Sequence, residues 1–235
     1  MTISIVIPTL NEEEYLRRTI ENLLERARNA HELELLVIDA GSDDNTLASI
    51  SDLDVSVFSK PSFQLRKSES LNFGLKQAKG EVVIFLDADT LLPKDFDQLI
   101  VSELANEQVV GGAFEMRFEN VGGKLFILSK LNQLRYRVWK TFYGDQAIFC
   151  KKAVAVKSGG FKDTLMEAAF FSRSISKHGK LSIIDRPVIT SPRRFDDGGF
   201  WIVLWFDIRM WVRFMFGLPL QKHTSTYWEK NIKNG

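Results

Sequence analysis

Short apolar runs alternate with longer amphipathic segments over the first ninety residues of the chain. The apolar runs predict strands at residues 3–8, 33–39, 54–60 and 81–87. The segments between them predict helices at residues 12–28, 43–50 and 65–79. This order predicts repeated βα units, which build a mostly parallel sheet with helices on its faces.

The alternation is less regular after residue 90. Helices are predicted at residues 93–104, 124–142 and 165–178, and extended stretches at residues 109–119, 146–150, 181–185 and 188–191. The 235 residues contain no internal repeat and no low-complexity linker. We therefore expect one mixed α/β domain over residues 1–220, with halves at 1–90 and 91–197, and a C-terminal tail at 221–235.

The segment at residues 199–216 contains three of the five tryptophans of the chain and only three charged residues. It predicts an aromatic amphipathic helix within residues 198–220. At about 18 residues with internal charges it is a poor transmembrane span. Its Trp and Arg content suits a helix that lies at a membrane interface. A helix packed against the domain explains the same pattern, and both interpretations stay open.

Composition limits the function classes. One cysteine excludes an intrachain disulfide, and three scattered histidines give no zinc-ligand spacing, so any metal is expected to have oxygen ligands. Strand-like residues start almost at the first position without a basic segment before them, which predicts a cytoplasmic protein, peripheral on the membrane if residues 199–216 contact lipid.

Charge is distributed unevenly along the chain. Residues 1–90 carry 9 Lys and Arg against 16 Asp and Glu, whereas residues 91–235 carry 22 against 14. The basic second half favours an anionic partner. Nucleic acid is not expected, because the basic residues are dispersed and no nucleic-acid-binding motif accompanies them.

Two carboxylates follow the apolar run at residues 82–86. Asp87 and Asp89 stand two positions apart where the predicted strand gives way to a turn, at the edge where open α/β sheets hold ligands. Both can bind one hard divalent cation, which would neutralise a diphosphate. A solvated turn with a helix-capping Asp is the alternative. Loops with Thr9, Asn11 and Asp39 follow the neighbouring strands and should line the same edge.

Four motifs follow the predicted strands and helices of the first ninety residues, namely Ile7-Pro8-Thr9-Leu10-Asn11-Glu12, Val37-Ile38-Asp39-Ala40-Gly41-Ser42 with Asp44-Asn45-Thr46, Asn72-Phe73-Gly74 with Ala78-Lys79-Gly80-Glu81, and Phe85-Leu86-Asp87-Ala88-Asp89-Thr90. In this order they resemble the motifs of family 2 glycosyltransferases of the GT-A fold. Further motifs resemble a bacterial subgroup, namely Tyr143-Gly144-Asp145-Gln146, Gly159-Gly160-Phe161 and Leu165-Met166-Glu167. The resemblance covers residues 3–218.

The resemblance implies an inverting transferase that moves a sugar from a UDP- or GDP-sugar to an acceptor hydroxyl, with residues 1–90 binding the nucleotide and residues 91–197 the acceptor. A lipid-linked acceptor is one candidate. The implied donor-binding residues are Pro8, Thr9, Asn11, Glu12, Asp39, Lys67, Asn72, Asp87, Ala88, Arg193 and Arg194. Asp87 and Asp89 are the implied ligands of Mn²⁺ or Mg²⁺.

One position departs from the family pattern. The family usually has Glu-Asp where this chain has Glu167-Ala168, and that Asp is the expected catalytic base. Glu167 or Asp145 can replace it, or transfer is slow or absent and the protein binds its donor without turnover. Loss of a positioned base costs roughly 10² to 10⁴ in rate.

Two other enzyme classes use a similar sheet. A nucleotidyltransferase and a Rossmann dehydrogenase both place a glycine-rich phosphate loop after the first strand. Here that loop reads Pro8-Thr9-Leu10-Asn11-Glu12 without glycine, which argues against both.

Overall fold

The computed structural model describes residues 1–61, 66–119 and 122–220. The predicted tail at 221–235 and the predicted start of a helix at residue 65 lie outside these residues. The strands are β1 Ile3–Thr9, β2 Leu33–Asp39, β3 Ser56–Ser59, β4 Val82–Phe85, β5 Thr90–Leu91, β6 Val109–Phe118, β7 Ile148–Lys151 and β8 Lys180–Thr190. The helices are α1 Leu16–Arg26, α2 Lys67–Gln77, α3 Phe96–Leu104, α4 Gly123–Trp139, α5 Lys152–Lys157, α6 Glu167–Ile175, α7 Arg193–Gly198 and α8 Phe200–Met215.

All eight strands join one mixed sheet in the order β3-β2-β1-β4-β7-β6-β8-β5. The first four strands of that order are parallel, as the βα pattern predicts. β7 then pairs antiparallel with both β4 and β6, and β8 pairs parallel with β6. The predicted α/β fold, with helices flanking the sheet and an aromatic C-terminal helix, is confirmed.

Two apolar clusters cover the two faces of the sheet. Ile5 and Ile7 of β1 face the cluster that contains α1 and α3, while Val6 faces the cluster that contains α2 and α6. Because both faces of the central strands are buried, these strands have continuous apolar sequences.

Several predicted elements differ from the structure. The helix predicted at residues 43–50 is a single 3-10 turn at Ala48–Ile50, because the Asp44 carboxylate accepts bonds from the backbone N–H and hydroxyl of Thr46 and so competes with helix formation. α1 begins at Leu16 rather than at residue 12. The extended stretches at 181–185 and 188–191 are one strand, β8, whose pairing with β6 shifts register before Pro187.

Candidate active site

The ends of three neighbouring parallel strands place the predicted polar residues at one edge of the sheet. Thr9 of β1 pairs with Asp39 of β2, and β4 pairs on the other side of β1, with the Leu86 N–H donating to the Val6 carbonyl. Asp87 leaves the sheet one residue later. Asp39 and Asp87 therefore lie on either side of β1, at the edge where such sheets bind ligands.

Asp39 is buried and organises the turn that follows β2. Its carboxylate accepts hydrogen bonds from the Gly41 N–H at 3.0 Å, the Ser42 hydroxyl at 2.5 Å and the Ser59 hydroxyl at 3.3 Å. Gly41 has φ +93°, a conformation that favours glycine. Asp39 thus shapes the pocket, and its predicted bond to a nucleotide base stays a prediction.

The loop after β1 is held against the loop after β2. Asn11, with φ +54°, donates its N–H to the Ser42 hydroxyl at 2.9 Å, and its side-chain oxygen accepts from the Asp43 N–H at 3.1 Å. The Glu12 N–H donates to the Thr46 hydroxyl at 2.7 Å. Pro8 precedes Thr9, whose hydroxyl is buried without a partner in the described residues. These bonds fix the Glu12 side chain at the sheet edge.

Two cations compensate the carboxylates at this edge. Lys67 of α2 forms an ion pair with Asp87, with 2.6 Å between Nζ and Oδ1. Arg193 of α7 binds Glu12 through two hydrogen bonds of 2.6 and 2.5 Å, and its Nε lies 3.2 Å from Asp89 Oδ2. Arg193 therefore joins the loop after β1 to the loop after β4.

Burial and crowded negative charge shift the titration of this group. Burial, together with the neighbouring Asp87 and Glu12, raises the pKa of Asp89 to about 6, although Arg193 and Lys67 oppose the rise. Burial alone would lower the pKa of Lys67, but Asp87, Glu167 and Asp89 hold it above its usual range. The edge thus carries an excess of carboxylate charge that favours a cation.

The turn that contains Asp145 closes the site. A Cβ added at Gly144 would lie 3.1 Å from Asp87 Oδ2 and 3.3 Å from Lys67 Nζ, so this glycine permits close approach to the ion pair. Asp145 Oδ1 is buried and has no hydrogen-bond partner among the described residues. Burial, together with the charge of Asp87, raises the pKa of Asp145 to about 6.

Glu167 is the first residue of α6, and its carboxylate, like that of Asp145, interacts with Lys67 and Asp87. Burial raises its pKa, whereas Lys67 lowers it. The adjacent Ala168 is 6% exposed and packs in the apolar cluster that contains Phe85 and Phe171. The backbone at position 168 therefore directs its side chain into an apolar environment.

Three predicted donor-binding residues have other partners. The side-chain amide of Asn72 exchanges two hydrogen bonds of 2.8 Å with the backbone of Phe161. Ala88 is 3% exposed, and its carbonyl accepts a 2.6 Å bond from the Thr19 hydroxyl. Arg194 forms an ion pair with Asp207 of α8. Their predicted contacts with the donor stay predictions.

Sequence reasoning missed Gly144 as a packing neighbour of Asp87, and it missed Arg135 of α4. The Arg135 guanidinium lies 3.8 Å from the centre of the Tyr143 ring, and its Nε and Nη1 are buried without hydrogen-bond partners in the described part of the chain. Gly144 could have been found from its place before Asp145 in the motif. Arg135 could not, because it is one of several basic residues on an amphipathic helix.

The sequence predicts Asp87 and Asp89 as ligands of a divalent cation. Within residues 1–61, 66–119 and 122–220, no three His, Cys, Asp or Glu side chains are arranged to hold a metal ion. Two carboxylates nevertheless fit Mg²⁺ or Mn²⁺, because such ions are commonly held by one or two carboxylates together with substrate phosphates.

In the described residues, no helix has the length and apolar character needed to cross a bilayer.

Comparison with known proteins gives a family. Residues 4–166 match the model of glycosyl transferase family 2. Over 191 residues the chain is 31% identical to poly(ribitol-phosphate) beta-N-acetylglucosaminyltransferase TarP of Staphylococcus aureus, which covers 78% of this chain and 50% of that protein. It is 27% identical over 209 residues to poly-beta-1,6-N-acetyl-D-glucosamine synthase of Staphylococcus epidermidis, covering 81% and 48%. The chain thus spans about half the length of these curated relatives.

Solved structures show the same fold. The S. aureus TarS 1–349 structure in complex with UDP-GlcNAc superposes with a TM-score of 0.68 at 21% identity, covering 81% of this chain and 58% of that one. The mannosyltransferase PcManGT from Pyrobaculum calidifontis, in complex with GDP-Man and Mn²⁺, superposes with a TM-score of 0.66 at 24% identity, covering 81% and 56%.

Proposed function

The chain belongs to glycosyl transferase family 2, and we propose that it transfers a sugar from a nucleotide-diphosphate sugar to an acceptor hydroxyl in a metal-dependent, inverting reaction. The observation that carries the proposal is the Asp87–Asp89 pair at the carboxyl edge of the parallel strands, compensated by Lys67 and Arg193. The donors in the similar structures, UDP-GlcNAc and GDP-Man, support a UDP- or GDP-sugar.

The site residues divide the work of binding the donor. Asp87 and Asp89 would hold Mg²⁺ or Mn²⁺ together with the donor phosphates. When bound, such an ion supplies Lewis-acid stabilisation of the charge that develops on the leaving diphosphate. Lys67 and Arg193 already lie against these carboxylates, so each can also approach a phosphate oxygen and orient the diphosphate.

Asp145 is the stronger candidate for the base that accepts the acceptor proton. Its Oδ1 has no hydrogen-bond partner in the described residues, and its pKa of about 6 lies near the operating pH of most enzymes. Glu167 is the second candidate, since its carboxylate lies within the electrostatic influence of Lys67. Asp145→Asn should then lower kcat by roughly 10² to 10⁴ while leaving donor affinity almost unchanged.

A protein that binds its donor without turnover is the second candidate function. Ala168 supports it, because the side chain that replaces the expected base is apolar and buried. If Asp145→Asn and Glu167→Gln leave turnover and donor hydrolysis unchanged, both base assignments are wrong.

Thermal unfolding with nucleotides tests the proposed donor. UDP-GlcNAc and GDP-mannose should each be added to the full chain with and without Mn²⁺, and a true donor at 100 times its Kd stabilises the fold by about 2.7 kcal/mol. Asp89→Asn should abolish the Mn²⁺-dependent part of the shift. Asp54→Asn, at an exposed position shortly before β3, is the control. No shift with any nucleotide sugar would overturn the proposal.

A further inference from the structure

Helix α4 is apolar on two opposite sides. Leu128 and Tyr136 are buried on its inner side. The other side exposes Ile127, Leu131, Leu134 and Val138, each 59–63% exposed and spaced three or four residues apart, which places them on one stripe. A surface helix in water normally presents polar residues on its outer side, so this stripe is unusual.

Helix α8 repeats the arrangement. Val203, Met210 and Phe214 are buried on its inner side. Its outer side exposes Trp201, Trp205, Ile208 and Val212, again spaced four, three and four residues apart, with the two tryptophans 67% and 69% exposed. A stripe of exposed tryptophan and aliphatic side chains is typical of surfaces that contact another apolar phase.

The two helices lie side by side. Trp139 of α4 contacts Trp211 of α8 edge-to-face, with 5.2 Å between ring centres. Lys124 at the start of α4 lies 5.5 Å from the ring centre of Trp201 at the start of α8. Leu128 and Val203 enter the same core cluster, so both helices bury their inner sides against the domain. The two exposed stripes therefore form one outward surface, the α4–α8 face.

Basic residues border this face. α4 exposes Lys124 and Lys130 and carries no acidic residue, whereas the Arg135 guanidinium is buried against Tyr143 and Arg137 pairs with Glu115 and Asp185. α8 carries Arg209, Arg213 and Asp207, and Asp207 is paired with Arg194. An apolar surface with basic residues around it complements an anionic lipid surface, where long basic side chains extend toward the headgroups.

We propose that the α4–α8 face docks on an anionic lipid bilayer surface, with both helices lying in the plane of the interface. Neither helix is long and apolar enough to span a bilayer, which agrees with lying on it. α8 is joined to the candidate active site, since Asp207 pairs with Arg194 and the adjacent Arg193 binds Asp89. A docked protein would thus hold its site beside the membrane. The inference rests on the surface of α4 and α8 and does not depend on the proposed reaction.

Vesicle sedimentation with the full chain tests the docking. We expect binding to vesicles of phosphatidylcholine with phosphatidylglycerol, weaker binding to phosphatidylcholine alone, and a loss of binding as salt screens the charges. Leu131→Glu combined with Trp205→Glu should weaken binding about tenfold or more. Lys124→Gln combined with Lys130→Gln should weaken binding to the anionic vesicles and leave binding to phosphatidylcholine vesicles unchanged.

Matched controls come from α5, which packs on β7 and α2. Val156, 59% exposed, and Lys157 supply an apolar and a basic position there, so Val156→Glu and Lys157→Gln should bind vesicles like the unsubstituted chain. All variants change exposed side chains, and an unchanged thermal midpoint confirms that they fold.

Three outcomes would overturn the proposal. The unsubstituted chain fails to bind anionic vesicles, or the α4–α8 variants bind as tightly as the controls. In the third outcome, light scattering without vesicles shows a dimer that Leu131→Glu and Trp205→Glu dissociate. The α4–α8 face would then bind a second copy of the chain rather than a membrane. The thermal shift with nucleotide sugars is unaffected by any of these outcomes, so failure of docking and failure of the proposed reaction are distinguishable.

Discussion

Asp39, Asp87 and Asp89 at the sheet edge have different partners. The Asp39 carboxylate accepts a hydrogen bond from its own turn, Asp87 forms an ion pair with Lys67, and Asp89 forms one with Arg193. The sequence predicted the place of these carboxylates because strand ends locate them. It could not predict the partner of Glu12, since Arg193 lies 181 positions away along the chain.

Asp145 should make the stability of the protein fall as pH rises. Its folded-state pKa is about 6, raised by burial and by Asp87, against an unfolded value of about 3.9. The folded state therefore binds the proton more tightly, and stability is lost as pH rises from about 4 through 6. Asp145→Asn removes this loss, so its stability relative to wild type should be higher at pH 7.5 than at pH 4.5 in urea unfolding.

The control for this experiment is Asp52→Asn, which should behave in the opposite way. The hydrogen bond from Arg17 lowers the pKa of Asp52. Its ionised form therefore stabilises the folded state above the unfolded pKa, and this contribution is lost as pH falls. A pH-independent difference between Asp145→Asn and wild type would mean that Asp145 is solvated.

Restoring the family carboxylate at position 168 should destabilise the protein. Ala168 packs among Phe85, Phe161 and Phe171, so Ala168→Asp brings a carboxylate into apolar surroundings and should cost about 1–3 kcal/mol of unfolding free energy at pH 7. The cost should shrink as pH falls toward about 4, because burial raises the folded-state pKa of the new carboxyl group above its unfolded value and the folded state is protonated first. Ala168→Asn, of the same shape, should show a cost that does not depend on pH. Equal pH profiles for the two variants would contradict the apolar surroundings.

At the scale of elements, prediction was better for strands than for loops. The apolar runs of β1, β2 and β4 identified these strands because both of their faces are buried. The helix predicted at residues 43–50 failed because side-chain bonds of Asp44 compete with helical backbone bonds. The close approach of the Asp145 turn to Asp87 depends on tertiary packing, which no local pattern reports.

Gly144→Ala should impair the site more than the fold. The new Cβ would lie within 3.3 Å of both Asp87 and Lys67, so the ion pair must shift by a few tenths of an ångström. Because donor binding depends on the position of these groups, we expect a several-fold rise in the donor Kd measured by calorimetry, with little change in thermal midpoint. Gly123→Ala is the control, since no atom of the described residues lies within 4 Å of its added Cβ. Equal donor affinity in both variants would show that the ion pair does not contact the donor.

For the whole molecule, the sequence predicted the fold class but not the strand order. The βα pattern of the first ninety residues fixes parallel neighbours. The insertion of β7 between β4 and β6 is a long-range pairing that periodicity does not report. The two halves of the chain therefore meet in one sheet, and Glu12 and Asp89 of the first half face Arg193 of the second.

The contribution of Arg193 to the stability of the molecule can be measured, because it pairs with carboxylates of the other half of the chain. It binds Glu12 and Asp89 from α7, and its pKa is held above its usual range by Glu12 and Asp89 although burial opposes them. Arg193→Gln leaves both carboxylates without their guanidinium, and we expect urea unfolding to show a loss of about 1–3 kcal/mol at pH 7.5. Arg186→Gln, at an exposed position on β8, is the control and should lose almost nothing.

The stability lost in Arg193→Gln should depend on pH, because Arg193 compensates the negative charge of Asp89. Without Arg193 the pKa of Asp89 should rise above its present value of about 6, because burial, Asp87 and Glu12 raise it and Lys67 is then the remaining group that lowers it. The stability lost in Arg193→Gln should therefore be largest above pH 7 and smaller near pH 5, where Asp89 binds a proton. A loss that is constant between pH 5 and 8 would mean that Arg193 stabilises the molecule by packing on Tyr15, whose ring centre lies 4.8 Å from its guanidinium, rather than by joining the charges of the two halves.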